Sequence, residues 1–273
     1  MKVISIKNCY LAFFLIFFGC SQNLLTDLSS KSTDDALLEN AQKALNIEDY
    51  QTAITYINRM STVGKARPVA KEILASGYAG QCGLNFVDYI SSLSTAGSVS
   101  MFKLLSIPFV GRAVDSSLCL TSLTTMDSIA ASPLRTVNQN AFTAIVGMSL
   151  MGTAIRSTTD LLPVNGDGIA DAANIACTLT DAQIDNVILG LGYMVENFSA
   201  LTSTQVSSGS QTSLSNFVNK CTTLVPGGCA FTNQTTIPPL LRLTMRDLLN
   251  TTDYGVGNYP ISGDDTRIPG ACP

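Results

Sequence analysis

The stretch Asn165-Gly166-Asp167-Gly168-Ile169-Ala170-Asp171 sets amide and carboxylate oxygens at alternate positions, between glycines that permit a sharp turn. Hard cations are held by such oxygens, so Asn165, Asp167 and Asp171 are candidate calcium ligands, with Asp160 able to add a carboxylate from outside the frame. The same residues also suit two tight turns and a helix cap with no ion, and both readings stand. Ser100 and Lys103 have the S-x-x-K spacing that places a hydroxyl and an amine one helical turn apart. The K-T-G companion of penicillin-binding enzymes is absent, and Met101, Phe102, Leu104 and Leu105 give the segment the look of packing. The chain has no His, which removes the commonest general base and any nucleophile–His pair. No glycine-rich phosphate loop occurs. The expectation is a protein that is not an enzyme, with no cofactor beyond possible calcium.

The N-terminus carries a different kind of chemistry. Lys2 and Lys7 precede a short apolar run, Tyr10 to Phe18, too brief to span a bilayer at about 20 residues. This is the plan of a signal peptide, residues 1–19. Phe17-Phe18-Gly19-Cys20 then resembles the bacterial lipobox, with Phe17 and Phe18 standing where that motif usually has aliphatic and small residues. The resemblance implies that Cys20 is acylated and becomes the first residue of an exported lipoprotein, palmitate being one of its chains. Ser21 is not the aspartate that commonly retains lipoproteins at the inner membrane, so the resemblance implies the outer membrane. Residues 20–32 are polar and uneven, as a tether is.

Setting aside Cys9 in the leader and Cys20 leaves Cys82, Cys119, Cys177, Cys221, Cys229 and Cys272. An even number in an oxidising compartment predicts three disulfides; fifteen connectivities are open, and Cys221 with Cys229 close the shortest loop. No C-x-x-C is present to suggest zinc or thiol exchange.

The elements that must position these groups are helices. Leu37, Leu38, Ala41, Ala44 and Leu45 form one apolar stripe, and Ala53, Ile54, Ile57 and Met60 a second, a few residues on. Short connections make antiparallel hairpins. Pro68 opens another helix with Val69, Ile73, Leu74 and Tyr78 on its face, and Gly83 to Leu93 supplies its partner through Phe86, Tyr89, Ile90 and Leu93. Further helices are expected at Ala113 to Ile129, from Pro133 to about Ser157, from the capping box Thr180-Asp181-Ala182-Gln183 to Phe198, at Ser213 to Cys221, and at Pro239 to Leu249. The run Ala141 to Ile155 has no charge and reads as a helix buried on most sides. Leu201 to Thr212, rich in Ser, Thr, Gln and Gly, reads as an exposed loop, and 251–273 as an irregular tail held only by Cys272. The fold class is all-α: antiparallel hairpins around a long apolar central helix, disulfide-stapled.

Leu37, Ala41, Ala44, Tyr50, Ala53, Ile57 and Met60 fall where a tetratricopeptide repeat places its interlocking residues, so residues 33–95 resemble that family. The Asn165–Asp171 stretch is similar to the N-x-D-G-x-x-D part of EF-hand-like and dockerin-like loops, but Pro163 stands at the first ligand position and Asn174 at the twelfth. The organisation that follows is a signal (1–19), a lipidated tether (20–32) and one helical domain (33–273), with a tetratricopeptide-like part (33–95), further helices (96–250) and the tail (251–273).

The repeat resemblance implies a helix-lined surface for another protein, to which Tyr50, Tyr56 and Tyr78 are possible contributors. The leading expectation is a scaffold lipoprotein attached to a membrane through its lipid and bound to another envelope protein. The alternative is a receptor or transport component holding a small apolar ligand, for which Ser106 to Val110 with Met148 and Met151 are candidate lining or else plain core. Without the leader, the chain has 14 basic and 20 acidic residues, a formal −6, which argues against nucleic acid. Charged residues make up only 13% of the sequence, against roughly 25% in an average domain.

Overall fold

Helix α1 (Asp34–Asn46) starts where Thr33 turns its hydroxyl back to accept from the amide of Ala36, and it carries Asp34 and Asp35 in its first turn and Lys43 in its last. Each charge complements the helix dipole. The structure is a computed structural model, and it describes residues 32–95, 100–160, 175–201, 205–225, 228–252, 254–255 and 272, without the side chains of 101–103 and 175. Among these residues every regular element is helical.

Helix α2 (Tyr50–Arg59), capped by Asp49, packs against α1, and the pair meets α4 (Pro68–Gln81) in a small core of Leu37, Ala41, Ile57, Met60, Ala70 and Ile73. Between them lies α3 (Thr62–Ala66), a five-residue turn of helix that no apolar period announces. Ser61 caps α3 and also gives its hydroxyl and amide to the Asp34 carboxylate. Those two donors, the hydroxyl first, hold the Asp34 carboxyl below its ordinary 3.8. The sign follows: this contact contributes fully above pH 3.8 and is lost as pH falls through the lower folded-state value. Asp34→Asn is therefore expected to leave stability unchanged in its pH slope at neutral pH and to flatten the acid limb of a pH–stability curve measured by urea unfolding.

Helix α5 (Phe86–Thr95) begins three residues later than the spacing predicts, because Gly83 takes φ +106° and turns the chain first. Only Tyr89 and Leu93 of its apolar residues are fully buried. Helices α6 (Met101–Ser106) and α7 (Ser116–Asp127) follow, α7 being set against α4 by the Cys82–Cys119 disulfide and by the Ser122 hydroxyl donating to the Ala75 carbonyl at 2.7 Å. This seam joins the small core to the main one, which runs from Ala79 to Leu249.

The centre of the main core is α8 (Val137–Thr159), in which every residue from Thr143 to Arg156 is buried. It starts at Val137, not Pro133, because Pro133 sits in a separate 3-10 turn and the Thr136–Gln139 capping box sets the true start. Its buried hydroxyls cost little because Thr143, Ser149, Thr153 and Thr159 each donate to a carbonyl one turn back. No described helix is long and apolar enough to cross a membrane. Helix α9 (Asp181–Asn197), started by the Thr180–Gln183 capping box, lies against α8 with Gly147 and Gly190 facing one another. Across this pair a Cβ on Gly190 falls 2.5 Å from the Gly147 carbonyl oxygen.

Helix α10 (Ser208–Leu224) corrects the expectation of a loop to Thr212. Ser207 caps it, and the buried Ser210 hydroxyl donates to the Leu93 carbonyl at 2.9 Å, so a contact 117 residues away fixes a start that the polar composition hides. Helix α11 (Pro239–Leu249) is clamped to α9 by Arg242, bidentate on Asp185 at 2.6 and 3.0 Å, and by Arg246 on Asp181 at 2.6 Å. The six cysteines form three disulfides: Cys82–Cys119, Cys177–Cys272 and Cys221–Cys229, with Cα separations of 5.2, 5.3 and 6.0 Å. Cys272 is not alone in holding the tail region, since Thr251 is buried and Tyr254 packs edge-on against Phe217 at 6.1 Å.

Candidate partner-binding groove

Helix α1 ends in a tight turn where the amides of Glu48 and Asp49 bond back to the carbonyls of Leu45 and Ala44. The turn requires φ +61° at Glu48, a conformation usually given to Gly after a helix end. Ile47, beside it, is 75% exposed. The Glu48 carboxylate is held by the Asn85 side-chain amide at 3.0 Å, which ties the α1–α2 turn to the start of α5. Between those two points, with α4 as floor, lies a cavity of about 380 Å³.

Its walls come from Leu45 and Asn46 on α1, Tyr50 on α2, Ser76, Ala79 and Gly80 on α4, and Leu84 to Val87 entering α5. Phe142 of α8 closes one side and stacks on Phe86, with ring centroids 6.1 Å apart and planes 18° apart. Phe86 and Val87 stand at the rim, Val87 being 76% exposed. A second cavity of about 390 Å³, lined by Glu72, Met126, Thr136, Asn138 and Gln139, shares Ser76 and Phe142 with the first. The two adjoin at Ser76 and Phe142 along one stripe of α4, Glu72, Ser76, Ala79 and Gly80, and together form the candidate groove.

The electrostatics of the groove are one-sided. The acidic residues of its lining are Glu48 and Glu72, and Glu72 accepts from the Gln139 amide at 2.5 Å. The nearby cations are engaged elsewhere, Arg112 with Asp88 and Lys71 with the Ser128 carbonyl. Tyr50 has its phenol pushed up, mainly by burial and then by Glu48. Holding Glu48 in a left-handed conformation costs about 1 kcal/mol relative to Gly. Glu48→Gly is therefore expected to raise unfolding stability by about 0.5–1 kcal/mol in denaturant titration, while removing one of the groove's two carboxylates.

The residues singled out from the sequence fall in different places. Tyr50 lines the groove, whereas Tyr56 packs on the small core with Arg59 5.9 Å above its ring, and Tyr78 is half-buried on α4 outside the groove lining. Cys20, Asn165, Asp167 and Asp171 lie outside the described residues. Among the described residues no group of three or more His, Cys, Asp or Glu is placed to hold a metal ion. Asp160, the possible extra ligand, is buried 3.6 Å from Arg156. Met148, Met151 and Phe109 are buried in the main core. Ser100 directly precedes α6, and the Lys103 side chain is outside the description. Glu48, Phe86, Val87 and Phe142 were not legible as site residues: both phenylalanines carry only the signal of core, and the turn at Glu48 lacks the Gly that marks such turns.

Other polar clusters serve the fold. The Arg135 guanidinium and the Tyr193 hydroxyl both donate to Asp127, joining the end of α7 to α9, and burial, then Asp127, push the Tyr193 phenol up. Arg156 donates to the Phe109 and Arg112 carbonyls, fastening the chain that leads from α6 to α7. No protein-family model, curated protein or solved structure is similar to this chain.

Proposed function

We propose that the chain is an exported lipoprotein whose helical domain acts as a non-catalytic binding or scaffold module for another protein of the cell envelope. The observation that carries this reading is the groove itself: an open, largely apolar cavity walled by the Phe86–Phe142 stack, with Ile47, Phe86 and Val87 exposed together about it. The chain enters the described domain at Thr33, and one end of the groove lies at the far end of α1, 13 residues or about 20 Å along that helix. The signal-like leader and lipobox-like Gly19-Cys20 support export and acylation, with the outer membrane as the favoured surface. The tetratricopeptide resemblance of residues 33–95 fits the same use, since the groove is made largely from that part.

A second reading rests on a separate cavity of about 200 Å³ between α9 and α10, lined by Met194, Val195, Phe198, Leu214 and Val218. That lining suits a small apolar ligand. Native mass spectrometry of the oxidised mature domain lacking Cys20, run before and after denaturation and chelation, separates the two. The scaffold reading expects a bare domain mass; a stoichiometric apolar ligand overturns it in favour of a carrier. A chelator-sensitive shift of one calcium shows a bound cation, for which Asn165, Asp167 and Asp171 are the candidate ligands. In the full chain, Cys20→Ser is expected to move the protein from the membrane to the soluble fraction and to delete the acyl mass from the N-terminal peptide.

A further inference from the structure

We infer that the groove takes an extended peptide in which an apolar side chain is flanked by basic residues. This rests on the protein-binding reading and names the chemistry of its partner. The groove follows α4 from Glu72 to Gly80, eight residues and about 12 Å of rise, the length of about four extended residues. Its middle is apolar where Phe142 meets Phe86 and Ala79, a seat for one large side chain. Its two ends each present one carboxylate, Glu72 at one and Glu48 at the other, and no Lys or Arg lines it.

Neither carboxylate is among the described ion pairs; each is steadied by a neutral amide, from Gln139 or Asn85, which fixes its direction without neutralising it. The uncharged polar lining, Asn46, Ser76, Thr136 and Asn138, offers donors and acceptors to a peptide backbone, which a hydrocarbon chain has no use for. Glu48 holds its place in spite of its left-handed backbone, so the charge sits where local folding prefers Gly. Complementary charge at both ends sets the partner's composition and steers its approach.

The test is fluorescence anisotropy at low salt with the oxidised mature domain and three labelled peptides, Lys-Ala-Phe-Ala-Lys, Glu-Ala-Phe-Ala-Glu and Lys-Ala-Ala-Ala-Lys. The first is expected to bind about tenfold tighter than either of the others, with the advantage over the acidic peptide shrinking as salt is raised. Glu48→Gln with Glu72→Gln, which preserves both amide contacts in shape, is expected to bring the Lys and Glu peptides within about twofold of each other, with unchanged circular dichroism. Equal binding of the Lys and Glu peptides, or binding of none, overturns the inference. Crosslinking in cells from position 87 then shows which idea has failed: a discrete protein adduct leaves the scaffold reading standing with a partner of other chemistry, and its absence removes both.

Discussion

Gly190→Val is expected to cost about 3 kcal/mol of stability, read as a fall of roughly 6–12 °C in melting temperature. At this crossing α8 and α9 touch backbone to backbone. A Cβ at Gly190 meets the Gly147 carbonyl oxygen at 2.5 Å, the Met151 Cγ at 2.7 Å and the Met151 amide nitrogen at 3.0 Å; a Cβ at Gly147 meets the Gly190 oxygen at 2.8 Å and the Met194 nitrogen at 2.9 Å. Main-chain atoms cannot swing aside as a long side chain can, so the helices must separate and open the packing of Ile145, Met148 and Ile188. Replacing a helical Gly returns at most about 1 kcal/mol of backbone entropy, too little to compensate. Melting within 2 °C of the parent would show that this contact is not tight.

Removing the disulfides one at a time, as paired Cys→Ala variants, is expected to give three different losses. A cross-link stabilises mainly by restricting the unfolded chain, and more so for longer loops. Cys177–Cys272, Cys82–Cys119 and Cys221–Cys229 span sequence separations of 95, 37 and 8. The chain-entropy relation assigns them about 4.7, 4 and 2.5 kcal/mol in that order. Losing Cys82–Cys119 has an added consequence, because this bond fixes α4, the groove floor, to α7 and so toward α8, which carries Phe142. That variant is expected to lose peptide binding at temperatures where it is still folded, whereas the Cys221–Cys229 variant keeps it. Equal losses of stability from all three would contradict the loop-length account.

Much of the fold is written locally in the chain. Thr33 and Asp49 cap the first hairpin, the Thr180–Gln183 box starts α9, and the uncharged run from Ala141 to Ile155 announces a buried helix. What escapes sequence reading is set by distant contacts. Ser207 to Ser210 look like a loop until Leu93 supplies the acceptor that orders them. The groove escapes for the same reason: Phe86 and Phe142 lie 56 positions apart, each reads as an ordinary core residue, and only the packed helices bring their rings together. Glu48 gives no warning at all, as its left-handed backbone occurs without Gly. The lipobox-like and calcium-like motifs are chemical signals that geometry does not enter, since both lie outside the described residues.

The central claim is that the groove receives another protein while the chain is anchored. Photo-crosslinking in intact cells tests it most directly, with a benzophenone amino acid placed in the full lipid-bearing chain at Val87, on the groove rim, or at Leu240, 53% exposed on α11 in the other part of the domain. The account predicts one discrete envelope-protein adduct from position 87, lost in the Glu48→Gln, Glu72→Gln variant, and none of that mass from position 240. No adduct from position 87, or the same adducts from both positions, would contradict it.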